Sequence, residues 1–136
     1  MSRFIYLSRR ICDNGCAMNR RSSPEQLAVL HSALADVTRL RLLNLMRGGE
    51  VCVCYFVEIL GESQPKISRH LAYLRRAGVV KARREGKWMH YRIDGMEGAA
   101  GEVLRATLEA FAADRKMQAD YARLERVCCV AEERAG

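Results

Sequence analysis

The sequence predicts a mainly α-helical fold with one small β-hairpin, arranged as a helix-turn-helix followed by a basic wing. Three observations carry that expectation. Two short helical segments, roughly Cys52 to Leu60 and Ser63-Gln64-Pro65 to Gly78, are separated by little more than Gly61-Glu62, and the second is basic on its outer face. Two β-prone runs follow, Val79 to Arg84 and Lys87 to Ile93, with the turn signal Glu85-Gly86 between them. Finally, nine Lys or Arg residues face one acid between Ser63 and Arg92, so this stretch nets +8 in a 136-residue chain that nets +7.

Each element has its own signal. Residues 1–22 lack periodicity and carry Arg9, Arg10, Arg20 and Arg21, which predicts a mobile basic arm, with Met18 as an alternative start. Ser23-Pro24-Glu25-Gln26 combines an N-cap, a first-turn proline and a capping-box glutamine, and Leu27, Leu30 and Leu34 then share a face. Asp36 caps a second helix that runs through Leu40, Leu43 and Met46 until Gly48-Gly49 ends it. In the basic helix Ile67, Leu71 and Leu74 fall inward at helical spacing, and His70 falls at the border, as a packing or capping residue. Trp88 and Tyr91 are expected in the strand core or supporting the wing. From Glu97 to about Val127 one helical stripe is expected, through Leu104, Leu108, Phe111, Tyr121 and Leu124. The expected organisation is thus an arm over 1–22, the helix-turn-helix domain over 23–115, and a C-terminal helical extension and tail over 116–136.

Charge narrows the partner. A solvated surface helix normally intersperses acids among its bases, so a segment this one-sided points to a polyanion, and with the motif inside it to double-stranded DNA. Lys66 and Arg69 are placed for base edges or phosphates, and Ser63, Gln64 and Ser68 for phosphate at the helix N-terminus. Tyr73 lies on the same outer face, and Arg83, Arg84 and Lys87 would neutralise phosphates along the wing. No apolar run reaches the roughly 20 residues needed to cross a bilayer, and no secretory signal is seen, so a soluble cytoplasmic protein without a membrane partner is expected. In that reducing compartment the six cysteines, in pairs Cys12 and Cys16, Cys52 and Cys54, Cys128 and Cys129, suit metal binding or redox sensing better than structural disulfides.

The run Leu34-Ala35-Asp36-Val37-Thr38-Arg39-Leu40-Arg41-Leu42-Leu43, then Glu50-Val51-Cys52-Val53-Cys54, then Ser63-Gln64-Pro65-Lys66-Ile67-Ser68-Arg69-His70-Leu71, resembles the ArsR/SmtB family of metal-responsive repressors over roughly residues 25–112. Val37 stands where the family usually has proline. The resemblance implies a homodimer built on the first and last helices that represses resistance genes at an operator, needs no cofactor to bind DNA, and releases it when an inducer binds.

Cys52 and Cys54 are the central inducer candidates. If both lay on a regular helix their side chains would point about 200° apart, so a ligand needing both thiolates would have to distort the helix. A helix N-terminus is also expected to favour thiolate over thiol. Trivalent arsenic or antimony takes three sulfurs; in several arsenic-responsive relatives the third follows Cys54 by three residues, where this chain has Val57. Cys128 or Cys129 is the favoured third ligand, since vicinal cysteines near the tail recur in arsenic-responsive repressors that this sequence resembles. Cys12 and Cys16 are the less favoured choice, and they would convert the site to the four-sulfur type that the family uses for cadmium or lead. The family's other site, on the last helix, needs a histidine there, and the only histidines are His31, His70 and His90. A disulfide-forming redox sensor is the remaining alternative. Enzymatic chemistry is not expected: the Cys128 to Arg134 spacing matches an oxyanion-binding loop, but the intervening residues are acidic and lack glycine.

Overall fold

The computed structural model describes residues 23–95 and 97–135, the last seven for their backbone alone. The expected arm, with Cys12 and Cys16, lies outside the described residues. The element order is α1 (Pro24–Leu34), α2 (Val37–Met46), β1 (Val51–Cys52), α3 (Val53–Leu60), α4 (Gln64–Arg76), β2 (Val80–Glu85), β3 (Trp88–Ile93), α5 (Gly98–Ala110), a 3-10 turn (Phe111–Ala113) and α6 (Arg115–Ala135). This is the winged helix-turn-helix order that the sequence predicts. None of the described helices is long and apolar enough to cross a membrane.

The caps form as read. The Ser23 hydroxyl accepts from Gln26 N at 3.1 Å while Gln26 Oε1 accepts from Ser23 N at 2.9 Å, closing both halves of the capping box. Asp36 Oδ1 accepts from Arg39 N at 3.0 Å and starts α2. That helix is central: Leu42, Leu43, Asn44, Leu45 and Met46 are all buried, and Asn44 Nδ2 donates to the Met117 carbonyl of α6 at 2.7 Å. Ile67, Leu71 and Leu74 of α4 are fully buried beneath it, so the helical spacing found the correct inner face.

The sequence misses three features. Val51 and Cys52 form a strand instead of the first turn of α3, and they add a third member to the hairpin in the order β1-β3-β2, with Val51 opposite Tyr91 and Cys52 opposite His90. Cys52 has extended backbone angles (φ −73°, ψ 143°) and acts as the N-cap of α3.

The second is a break in the expected C-terminal helix. Asp114 leaves the helical region and its Oδ1 accepts from Met117 N at 2.9 Å, capping a new helix. The break lets α6 fold back against α2 and α3. There Arg41 Nε and Nη2 donate to the two oxygens of Asp120 at 2.8 and 3.1 Å, and Arg123 Nη1 reaches the Ile59 carbonyl at the C-terminal end of α3 at 3.4 Å. Tyr121 lies over Gly48, where an added Cβ would fall 2.0 Å from the phenol oxygen, so a larger residue there would have to push the Tyr121 ring aside.

The third concerns Trp88, expected in the strand core or supporting the wing: it lies outside the core, 47% exposed at the tip of the hairpin. Strand alternation explains it: Met89, Tyr91 and Ile93 occupy one face of β3, which leaves Trp88, His90 and Arg92 on the other.

Candidate nucleic-acid interface and thiol pair

The turn between α3 and α4 is tight because Gly61 adopts a left-handed conformation (φ 68°) that other residues rarely take, and because Ser63 starts α4 by accepting from Lys66 N at 3.4 Å. The outer face of α4 forms an open groove lined by Lys66, Arg69, His70, Tyr73 and Arg76, with Arg39 from α2 at its edge. Gln64, Ser68 and Arg69 are exposed there, and Lys66 is half-buried beside Glu62, its Nζ 2.9 Å from that carboxylate. Tyr73 has a second role: the Arg39 guanidinium stacks 4.2 Å above its ring while donating to the Ser32 and Ala33 carbonyls at the end of α1. His70 sits at the border as expected, its Nδ1 3.7 Å from Asp36.

Electrostatics reinforce this junction. Burial opposes ionisation of Asp36, but the Arg39 backbone N–H and the nearby His70 and Arg39 charges together outweigh it and hold the carboxyl below its ordinary value. Arg39, Asp36, His70 and Tyr73 thus tie the start of α2 to the outer face of α4.

On the wing, the three basic candidates separate. Arg83 is clasped by two acids: Nη2 lies 2.6 Å from Glu50 Oε1 and 3.2 Å from Glu85 Oε2. The hydrogen bond to Glu50 and then the one to Glu85 raise the affinity of Arg83 for its proton, and Arg83 in turn lowers the Glu50 pKa. Arg84 and Lys87 are exposed and, among the described residues, have no acid within ion-pair distance; Lys87 Nζ lies 5.2 Å from the centre of the Trp88 ring.

The thiol pair departs from expectation in geometry. Because Cys52 precedes the helix in extended conformation, its side chain is not on the face opposite Cys54; the Cys54 thiol donates to Cys52 Sγ across 3.3 Å. The two sulfurs are already together, one buried and one exposed, and no helix distortion is needed to unite them. The backbone N–H groups of Cys54 and Tyr55 at the helix start favour the Cys54 thiolate as expected, but they are outweighed. Partial desolvation first, then the hydrogen bond to Cys52 and the charge of that sulfur once ionised, push the Cys54 thiol up to about 11.

Cys128 is half-buried on α6 and packs against the core cluster that includes α3. Tyr55, the residue after Cys54, feels all three sulfurs: burial raises its pKa most, followed by the negative charge available at Cys128, Cys54 and Cys52. Among the described residues no three cysteines, histidines or acids are gathered closely enough to hold a metal ion. The Cys129 side chain lies outside the description.

Known proteins resemble this chain in sequence and fold. A model of the arsR family of bacterial regulatory proteins matches residues 36–82. The arsenical resistance operon repressor of Escherichia coli is 52% identical over 65 residues, 47% of this chain and 56% of that protein. The arsenic resistance transcriptional regulator ArsR2 of Pseudomonas putida is 45% identical over 80 residues, 57% of this chain and 70% of that one. A homodimeric winged helix-turn-helix DNA-binding domain from Mycobacterium bovis superposes with a TM-score of 0.55 at 34% identity, covering 69% of this chain and 83% of that chain. The chain spans only about half the length of the first curated relatives it matches, 52% and 56%.

Proposed function

Because the chain belongs to the ArsR family of bacterial regulatory proteins, we propose that it is a dimeric transcriptional repressor that leaves its operator when trivalent arsenic or antimony binds Cys52 and Cys54. The observation that carries the inducer reading is the 3.3 Å separation of those two sulfurs at the junction of β1 and α3. Two soft donors this close, one open to solvent, suit a thiophilic centre. The names of the arsenic-resistance relatives support the same choice.

DNA binding rests on α4 and the wing. Lys66 and Arg69, with Ser63, Gln64, Ser68 and Tyr73 around them, face the major groove, and Arg84 and Lys87 meet the phosphates alongside. Arg83 serves mainly to brace the wing against Glu50. Dimerisation through α1 and α6 gives two such surfaces; Val29 on α1, 49% exposed, is an apolar contact available to a second copy.

Release follows from what the thiol pair is attached to. Trivalent arsenic, arriving as arsenite, exchanges one As–OH bond for each As–S bond formed, the thiol proton and the displaced hydroxide leaving as water. Cys52 belongs to the sheet that carries the wing, and Cys54 to the helix that leads into α4, so a clamp on both couples the two DNA-contacting elements. A third sulfur from Cys128 or Cys129 draws α6 into the same clamp and alters its packing on α2 and α3. A tenfold loss of DNA affinity needs only about 1.4 kcal/mol of such coupling.

A gel-shift titration tests the reading with arsenite, antimonite, cadmium, lead and peroxide against the wild type and variants lacking each cysteine pair. Arsenite should release the wild type and fail to release Cys52→Ser/Cys54→Ser. Release of that variant at the same arsenite concentration would overturn the assignment. Protection by loss of Cys12 and Cys16 instead of Cys128 and Cys129, with cadmium or lead as the better inducer, would move the site to the four-sulfur type.

A further inference from the structure

The sole tryptophan of the chain occupies an unusual position for so large an apolar group. Trp88 is the first residue of β3, opposite Glu85 across the hairpin turn, with about half its surface exposed. Its neighbours are cationic: the hairpin Val80–Ile93 has five basic residues against one acid. Two of those bases are neutralised inside the protein, Lys81 by Asp94 at 3.4 Å and Arg83 by Glu50 and Glu85. The bases left near the hairpin tip are Lys87, over the indole face, and Arg84 on β2, across from Met89; Arg92 lies four residues farther along β3, within reach of the Glu50 charge.

We infer that Trp88 is a DNA-contacting residue, docking its indole in the minor groove beside the major-groove site of α4 while Lys87 and Arg84 meet the flanking phosphates. This rests on the DNA-binding reading above and adds a contact to it. Charge complementarity selects the occupant: a half-exposed indole at the tip of a hairpin with net positive charge, with Lys87 over its face, suits a narrow anionic groove with apolar deoxyribose walls. The indole N–H is a donor only, and the minor groove of A·T pairs offers only acceptors, the N3 of adenine and the O2 of thymine. A G·C pair places the guanine amino group in the same space, where it competes as a donor and fills the groove floor. Trp88 therefore reads A·T against G·C at the outer positions of the site, where α4 does not reach, and apolar insertion of this kind also favours base steps that bend readily.

Because Trp88 is the only tryptophan, its emission reports its own environment without labelling. The test uses the reduced, metal-free full chain and a duplex selected by that protein from a random-sequence pool, with binding followed independently by anisotropy of an end-labelled strand. Saturating duplex should shift Trp88 emission and protect it from acrylamide. Trp88→Ala should bind the duplex about tenfold more weakly with an unchanged salt dependence, since no charge is lost. Trp88→Phe should recover most of the affinity. Replacing the outer A·T pairs with G·C should weaken the wild type and leave Trp88→Ala nearly unaffected. Normal anisotropy binding with unchanged emission and full acrylamide access would overturn the Trp88 contact and leave the DNA-binding reading intact. Failure of the selection to yield any bound duplex would overturn both.

Discussion

Cys52 stands directly opposite His90 in the pairing of β1 with β3, and His90 stands opposite Arg83 in the pairing of β3 with β2. One cross-strand row therefore runs from the thiol pair to the wing, and Glu50, two residues before Cys52, bonds to the far end of that row through Arg83. This pairing offers a perturbation at Cys52 a main-chain route to the wing that does not pass through α4.

That row predicts a spectroscopic signature. In the DNA-free protein, arsenite should shift the backbone amide resonances of His90 and Tyr91 together with those of residues 52–54, and Cys52→Ser should abolish the shifts. An unchanged β3 in the arsenite-loaded wild type would show that the wing does not sense the thiol pair.

The wing bases should not contribute equally. Arg84→Ala and Lys87→Ala should each reduce the salt dependence of DNA binding by about one unit of slope. Arg83→Ala should reduce it by less than half as much, because Glu50 and Glu85 already hold that guanidinium. Equal slopes for all three would mean that DNA breaks the Glu50 clasp.

On α4, Lys66→Ala combined with Arg69→Ala should weaken operator binding at least about tenfold, since two phosphate or base contacts are lost together. Binding as tight as wild type in a gel shift would remove α4 from the interface.

The ion pair between Arg41 and Asp120 is nearly enclosed, with side chains 14% and 10% exposed. Asp120→Ala strands the guanidinium and should cost about 3–5 kcal/mol in urea unfolding, whereas replacing both partners by apolar residues of similar volume should cost much less. Equal losses in the single and double variants would contradict the argument.

Asp36 sets a pH response. Its folded pKa lies below the ordinary 3.8, so the stability it contributes is fully present above that value and is lost as pH falls through the lower folded value. Asn is as good an N-cap without a charge, so Asp36→Asn should match the wild type in cap strength but flatten the acid limb of a stability curve measured between about pH 2 and 5. An acid limb identical to wild type would rule out Asp36 as its source.

The helix-turn-helix was legible because each of its signals is local. Ser63-Gln64-Pro65 specifies a helix start, Gly61 a left-handed turn, and Ile67, Leu71 and Leu74 an inner face. What escaped was tertiary. A two-residue strand such as Val51–Cys52 has no periodicity to read, and it exists because β3 pairs with it. Missing β1 misplaced the Cys52 sulfur, turning a ready thiol pair into an apparent opposition across a helix. Asp114 is an ordinary capping residue within a strongly helical stretch, and the long-range contact that accompanies the break, Asp120 with Arg41, spans 79 residues and leaves no local signal. The exposure of Trp88 was accessible from the alternation of Met89, Tyr91 and Ile93 along β3.

The return of α6 makes a lever of the C-terminal helix. Asp120, held by Arg41, is the natural pivot, and Cys128 lies eight residues beyond it, about 12 Å along the axis. A tilt of about 10° around that pivot would carry the Cys128 end through roughly 2 Å and work Arg123 against the Ile59 carbonyl at the end of α3. A small pull on that sulfur would thereby reach the turn that aims α4, with the ion pair as fulcrum.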